Sequence, residues 1–476
     1  MIFTSLNFFI FFPAVCLLFY LTPKSVRWLL LLVASYFYYL NLKPVFALIM
    51  ASITLSTYIF TRLIDSTSAD EKKKFYMRCN IVLILLPLLF FKYFIAINNM
   101  AFYWMDGAGM RYPFPEIPFL LPIGISFYTF MAIGYTVDVY NEELATEKNI
   151  GIVALFISFF PLVLSGPIER AGNMLPQFRN IPNINPGNIA KGLKWMLWGY
   201  FMKLVVADRL GIYIDTVYAH PQQYNGTTFV LTTILYPFQV YGDLGGYSLI
   251  AIGAAKVMGF NVIQNFRRPF FSVSMSEFWR RWHISLITWI TDYIYTPLAF
   301  HFRKHGRRGI VLALMFAFLI SGIWHGAALT FVAWGIMQGT FLSIEAVTAR
   351  RRMNFRTQSQ LSHKWWFIAL CCLLTFVLFA SSQVFARSRS IGEAMSIFAK
   401  MVSDIGLPYL DLNTLAVGVA MLGILLLSDF RDEFFPGRFK VFNNRYIVVR
   451  FGSYLAIFLL IILFGVVSGQ FIYFKF

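Results

Sequence analysis

The chain has 476 residues, of which 58% are hydrophobic and 13% charged, and its net charge is +18. A soluble domain carries roughly a quarter charged residues, so the composition excludes one and points to an α-helical membrane protein. The bases fall in short runs between apolar segments, as in Arg350-Arg351-Arg352 and in Arg303-Lys304 with Arg307-Arg308. That pattern sets topology and meets anionic headgroups; it does not make a nucleic-acid face.

Apolar segments are predicted at 2–21, 26–41, 44–61, 76–97, 118–140, 150–165, 189–210, 228–241 and 245–260. They resume at 283–300, 309–322, 325–346, 365–386, 412–429 and 447–468. The first lacks a basic leader and a small-residue cleavage site, so a retained helix is expected rather than a signal peptide. Several segments are short or carry polar groups, so about eleven to thirteen true crossings are expected, with re-entrant or interfacial helices making up the rest. The loops 62–78 and 349–364 are expected on the cytoplasmic side, and 98–117 reads as a loop. No internal repeat is evident. The cysteines Cys16, Cys79, Cys371 and Cys372 form no CxxC pair, and the histidines form no HExxH pattern, so no metal site is expected.

The two ends are rich in Leu, Ile and Phe, whereas from 158 to 340 the apolar runs are interrupted by Gly, Pro, His, Asp, Glu and Arg. Polar groups at membrane depth are costly and face a protein interior or a wet cavity, so chemistry is expected in this central third. Ser165-Gly166-Pro167-Ile168-Glu169-Arg170 breaks a helix and ends in a charge pair, either a surface ion pair or a cavity mouth. Tyr241-Gly242-Asp243-Leu244-Gly245-Gly246-Tyr247-Ser248 sets an acid among glycines, where Asp243 partners a buried base, caps a helix or meets a ligand. Asn265-Phe266-Arg267-Arg268-Pro269 leads to Ser274 and Glu277, which fit a capping box, and to a helix bearing Trp279, Arg280, Arg281, Trp282 and His283. Trp279 and His283, four apart, are expected on one face, either at headgroup level or lining a site. In Ser321-Gly322-Ile323-Trp324-His325-Gly326-Ala327 a histidine stands in an apolar run between small residues. It is a satisfied core group or a base; burial favours the neutral imidazole, which can accept a proton from a hydroxyl, and the glycines are expected to leave space for a substrate.

Together these stretches resemble the membrane-bound O-acyltransferase (MBOAT) family, and within it the bacterial branch of alginate O-acetyltransferases, peptidoglycan O-acetyltransferases and D-alanyl transfer. The resemblance rests on SGPIER–LPQF (165–178), YGDLGGYS (241–248), NFRRPF through SEFWRRWHISLITWITDYIYTPL (265–298), WHG (324–326) and the tail Phe471-Ile472-Tyr473-Phe474-Lys475-Phe476, and it covers most of the chain. It implies an all-α polytopic transmembrane fold, a single integral domain over 1–476 with its catalytic region at about 158–340, and a ring of helices around a central tunnel. It places the family's invariant histidine at His325 and its second histidine at His283. Trp324, Arg280, Arg281, Trp282 and Asp243 are then expected to bind donor or substrate. The resemblance further implies no bound cofactor, acetyl-CoA as the cytoplasmic acyl donor, an extracytoplasmic polysaccharide acceptor, a periplasmic partner of the SGNH-hydrolase-like type, and residence among the lipids of the bacterial inner membrane. Two departures are Lys475, where the family's tail has glutamine, and the short, basic interval 299–309.

The expected chemistry follows from acidity. A thiol titrates near 8.5, a tyrosine phenol near 10 and an alcohol far higher, so a phenyl ester keeps much of a thioester's transfer potential. The resemblance makes Tyr473 an acyl relay, against the alternative of an interfacial aromatic anchor. His325 is expected to deprotonate the acceptor oxygen, His283 to position the thioester or stabilise its oxyanion, and Arg280 and Arg281 to steer the donor's phosphates. A flippase for a lipid-linked sugar and a non-catalytic scaffold of a polysaccharide export complex are the rival classes. The first would commonly show internal repeats.

Overall fold

The computed structural model describes residues 1–476 apart from 42–43, 118–121, 360, 362–363, 439–440 and 467–476, and the side chain of residue 356. The described residues contain helices and no strand. This is the all-α polytopic membrane fold expected, but among the described residues six helices, rather than eleven to thirteen, are long and apolar enough to cross a membrane: Pro44–Ser66, Asp70–Gly107, Arg307–His325, Trp365–Arg387, Leu412–Phe434 and Ile447–Phe464. The chain clusters into two compact units, Met1–Leu193 with Ala251–Ile263, and Lys194–Ile250 with Gln264–Phe476.

The first unit contains α1 (Leu6–Leu21), α2 (Arg27–Leu40), α3 (Pro44–Ser66), α4 (Asp70–Leu89), α5 (Ile95–Gly107), α6 (Ile125–Tyr140), α7 (Ile150–Ser158) and α8 (Ala171–Arg179). In an apolar solvent helices gain little from burying leucine, so small and polar residues make the contacts between them. Ser56 of α3 donates to Asn80 of α4 at 2.7 Å, and Asn80 donates to Thr136 of α6 at 2.8 Å. The 98–117 interval, expected as a loop, is helical over its first part as the end of α5, which continues α4 through a π-helical turn at Phe90–Phe94. The SGPIER stretch turns its acid inward instead of leaving it at the surface. Glu169 is buried, and its carboxylate accepts from the backbone N–H of Ile263, from Arg170 N at 3.1 Å and from Asn173 at 2.9 Å. Burial raises the proton affinity of this carboxyl group, and the three donors oppose that shift. Gln177 pairs with the same segment, accepting from Asn261 N at 2.8 Å and donating to its carbonyl at 3.0 Å. The SGPIER–LPQF stretch is thus a clamp on 261–263.

The chain passes through α9 (Pro186–Tyr200) into the second unit, with α10 (Asp208–Ala219), α11 (Gly226–Val240), α12 (Gly246–Val257), α13 (Met275–Trp279), α14 (Ile284–Ile290), α15 (Thr296–His301), α16 (Arg307–His325), α17 (Leu329–Ser359), α18 (Trp365–Arg387), α19 (Ile391–Ser403), α20 (Leu412–Phe434) and α21 (Ile447–Phe464). The helices at 186–219, 226–257 and 284–301 are each interrupted by a π-helical stretch, at Phe201–Ala207, Tyr241–Gly245 and Thr291–Tyr295. α16 and α17 pack antiparallel through glycines: Gly322 meets the carbonyl of Phe331, and Gly339 meets Met315. A Cβ on Gly335 would stand 2.5 Å from the Phe318 carbonyl oxygen. This register puts Arg307 and Arg308, at the start of α16, at the same end as Arg350–Arg352 near the end of α17. His325 lies at the other end of α16, about 28 Å away for 19 residues at 1.5 Å each.

Gly335→Ala is expected to force α16 and α17 apart and cost about 1–3 kcal/mol. Thermal unfolding in detergent will show a lowered midpoint. Gly423→Ala, where an added Cβ meets nothing within 4 Å, will not lower it.

Candidate active site

The site is built around a short segment that the sequence offers only as Asn-Phe-Arg-Arg-Pro. The backbone carbonyl of Asn265 accepts from Ile284 N at 2.8 Å, and Arg267 N donates to the Arg281 carbonyl at 2.8 Å, so 265–267 is laced to 281–284. The Asn265 side-chain oxygen accepts from Ser285 N at 3.2 Å and from the Ser285 hydroxyl at 2.9 Å, and it faces His283 Nδ1 at 3.2 Å. The Asn265 amide nitrogen donates to Ser248 of α12 at 2.9 Å. A backbone N–H can only donate, so the atom facing Ser285 N is the amide oxygen. Nδ1 of His283, facing that same oxygen, therefore carries the hydrogen, and Nε2 carries the lone pair. His283 has 3% of its surface exposed, and burial disfavours its imidazolium.

The sequence predicts one continuous helix through Trp279 and His283; the structure breaks it. The capping box forms as expected, with Glu277 N donating to Ser274 Oγ at 3.2 Å and Glu277 accepting from Val273 N at 3.0 Å. But α13 stops at Trp279, and His283 adopts left-handed backbone at φ 46° before α14 begins. That conformation costs a non-glycine residue on the order of 1–2 kcal/mol, and the Asn265 bonds hold it.

His325 ends α16, half-buried, and packs against Trp324 at 4.7 Å, edge-on to Trp334 at 5.0 Å and parallel to Phe331 at 6.2 Å. The glycines beside it do not leave space for substrate, as the sequence suggests. The α17 backbone occupies the place of a Gly322 side chain, and the Phe331 ring that of a Gly326 side chain.

His283 and His325 line one part-open pocket of about 570 Å³, counting the solvent space at its mouth. Its walls are aromatic, from Tyr236 of α11 and from Trp279, Trp282, Phe331, Trp334 and Phe379, with Gln383 of α18 as a polar neighbour. Behind the wall Trp279 donates to Gln338 at 3.3 Å and Gln338 donates to Ser382 at 2.6 Å, joining α13, α17 and α18. Trp334, Gln338 and Gln383 stand in no motif of the sequence, and Asn265 is there only the first residue of the NFRRP stretch. The signal available for the two glutamines is an amide inside an apolar run.

The remaining expected site residues are dispersed. Trp282 lines the pocket, stacked on Phe278 at 5.4 Å. Trp324 is buried behind His325 and is not a wall residue. Arg281 is engaged by Glu277 and by Glu433 at 2.9 Å, and Glu433 also pairs with Arg268 at 3.0 Å. Arg280 is exposed, and its Nε donates to the Ser276 carbonyl at 3.2 Å. Asp243 partners a buried base: Lys203 lies 2.6 Å from Asp243 and 2.8 Å from Asp208, with all three residues buried. Tyr473, with Lys475 and the rest of the tail, lies outside the described residues.

The sequence profile of the membrane-bound O-acyltransferase family matches residues 141–385, which span the pocket's two histidines and all but Ala386 of its wall. The chain belongs to the membrane-bound O-acyltransferase family. It is 33% identical over 90% of its length to a protein of Pseudomonas syringae pv. tomato named "Probable alginate O-acetylase AlgI", covering 82% of that protein. It is 28% identical to the peptidoglycan O-acetyltransferase of Helicobacter pylori, over 80% of this chain and 74% of that one. It is also 28% identical to the teichoic acid D-alanyltransferase of Streptococcus thermophilus, over 53% of this chain and 65% of that one. The protein is thus a multi-pass membrane O-acyltransferase, and its described pocket brings together the two histidines of the WHIS and WHG stretches.

Asn265→Leu removes the acceptor shared by His283 and Ser285. Acyl transfer is expected to fall about a hundredfold through misplacement of the imidazole, and less in Asn265→Asp, which keeps an oxygen there. Lys203→Met leaves two buried carboxylates without their cation. A stability loss of about 3–5 kcal/mol is expected in a detergent unfolding assay, partly restored by adding Asp243→Asn.

Proposed function

We propose that this membrane-bound O-acyltransferase moves an acetyl group from cytoplasmic acetyl-CoA to a hydroxyl of an extracytoplasmic polysaccharide across the bacterial inner membrane. The observation that carries the proposal is the pairing of His283 and His325 in one aromatic-walled pocket at the end of α16 remote from its arginines. With the basic end on the cytoplasmic side, as the distribution of Lys and Arg favours, the pocket lies toward the far side of the membrane. The relatives named for alginate O-acetylation and peptidoglycan O-acetylation support acetyl as the group moved and a polysaccharide as the destination.

In this mechanism the thioester enters the aromatic pocket, which excludes water and so protects it from hydrolysis. His325 accepts the proton of the attacking hydroxyl, a step worth about 10²–10⁴-fold. His283, with its lone pair on Nε2, accepts a hydrogen bond from a donor or acceptor group and fixes its place. The exposed Arg280 steers the donor's phosphates. The attacking oxygen is that of Tyr473, which relays the acyl group, or that of a hydroxyl brought by a periplasmic partner of the SGNH-hydrolase-like type.

The test is transfer of labelled acetyl from acetyl-CoA to the purified protein and on to soluble polysaccharide. His325→Ala is expected to lose at least a hundredfold in rate, and Tyr473→Phe to abolish labelling of the protein itself. Full activity in His325→Ala overturns the mechanism. Transfer from a D-alanyl thioester and none from acetyl-CoA overturns the donor assignment alone.

A further inference from the structure

An acyl transfer needs a hydrogen-bond donor where the thioester's carbonyl oxygen gathers negative charge. His283 does not offer one in its native tautomer, since its N–H faces Asn265. The Trp279 indole N–H, in the same wall, is engaged by Gln338. The Trp334 indole N–H differs from both. Its residue is 4% exposed, lines the pocket and sits edge-on to His325 at 5.0 Å, and its Nε1 has no hydrogen-bond partner among the described residues. Burying a donor unpaired is costly, and a ligand that supplies an acceptor recovers the loss. The rest of the wall around it is largely carbon, so a carbonyl placed there would meet few competing donors and little water.

We propose that Trp334 is a catalytic residue whose indole N–H holds the carbonyl oxygen of the acyl thioester. The assignment rests on the acyl-transfer mechanism given above and specifies how the pocket recognises its donor. The hydroxyl oxygen bonds to the carbonyl carbon as its proton passes to His325, and the carbonyl π electrons move to the oxygen held by Trp334. The carbonyl then re-forms, the C–S bond breaks, and the leaving thiolate takes the proton back from the imidazolium. A thioester and an alcohol become an ester and a thiol, with no other reactant. Selectivity follows from the same contact, because a thioester is bound through its carbonyl and a simple thioether is not.

The experiment uses the full-length protein in lipid nanodiscs and two unreactive probes. One is the ketone isostere of acetyl-CoA, with methylene in place of sulfur; the other is S-ethyl-CoA, which lacks the carbonyl. Wild type is expected to bind the ketone about tenfold more tightly, and Trp334→Phe to bind both alike, with kcat lowered about 10²–10³-fold and KM changed little. If Trp334→Phe binds S-ethyl-CoA more weakly than wild type, its pocket has been disturbed. Replacement of Trp334 by benzothienylalanine, which keeps the ring shape without the N–H, then takes its place. A ketone preference or a kcat that survives loss of the N–H overturns the assignment and leaves the acyl-transfer mechanism standing. Wild type that binds neither probe overturns the CoA-thioester donor, and the role of Trp334 with it.

Discussion

The pocket's geometry depends on one side-chain amide. Asn265 binds Ser248 of α12 with its nitrogen, while its oxygen holds the turn from His283 to Ser285. The junction of two helices, α12 and α14, and the tautomer of a histidine are set by that single group. The low dielectric around it strengthens each bond and makes any unmatched partner expensive, so the network acts as a unit. It also explains how His283 tolerates left-handed backbone: Asn265 staples the residues that follow it, through its carbonyl to Ile284 and its side chain to Ser285.

Buried polar groups coincide with helices that deviate from regularity. All four π-helical stretches among the described residues contain an ionisable residue: Lys92, Lys203, Asp243 and Asp292. A π turn widens the helix by one residue and shifts the side chains that follow it, and such turns are common at functional sites. In the second unit two of them face each other so that Lys203 meets both Asp243 and Asp208. That ion cluster sets the position of the segment on which Val240 and Leu244 form pocket wall. The glycines of this segment let the backbones touch: a Cβ on Gly246 would stand 2.8 Å from the carbonyl oxygen of Gly199. Charge pairing and close backbone approach thus act together to hold a wall whose inner surface is mostly aromatic.

The residues expected at the site divide in the same way. The imidazoles are on the pocket surface, whereas Arg281 and Asp243 are engaged by opposite charges and serve the scaffold. An arginine pair adjacent in sequence has two fates because the turn after α13 sends Arg281 inward toward Glu433 and leaves Arg280 outside.

Much was determined by sequence alone. Hydropathy required a polytopic helical membrane protein, since only helices satisfy every backbone group in hydrocarbon without a closed sheet. The cost of burying His283 and His325 in apolar runs marked both as candidates, and the Ser274–Glu277 spacing gave the cap that forms. Tertiary structure decided what these residues meet. The partner of His283 comes from 18 positions away and that of Asp243 from 40, separations at which local periodicity carries no information. The break after Trp279 was hidden because a continuous helical pattern and a stapled left-handed turn share the same residues. Trp334 and Gln383 read as ordinary members of apolar helices until packing turned them to the pocket, and Gln338 until packing set it behind the wall between Trp279 and Ser382. Sequence fixes which groups are too costly to bury by chance; only the packed fold shows the partners and the space that make their burial useful.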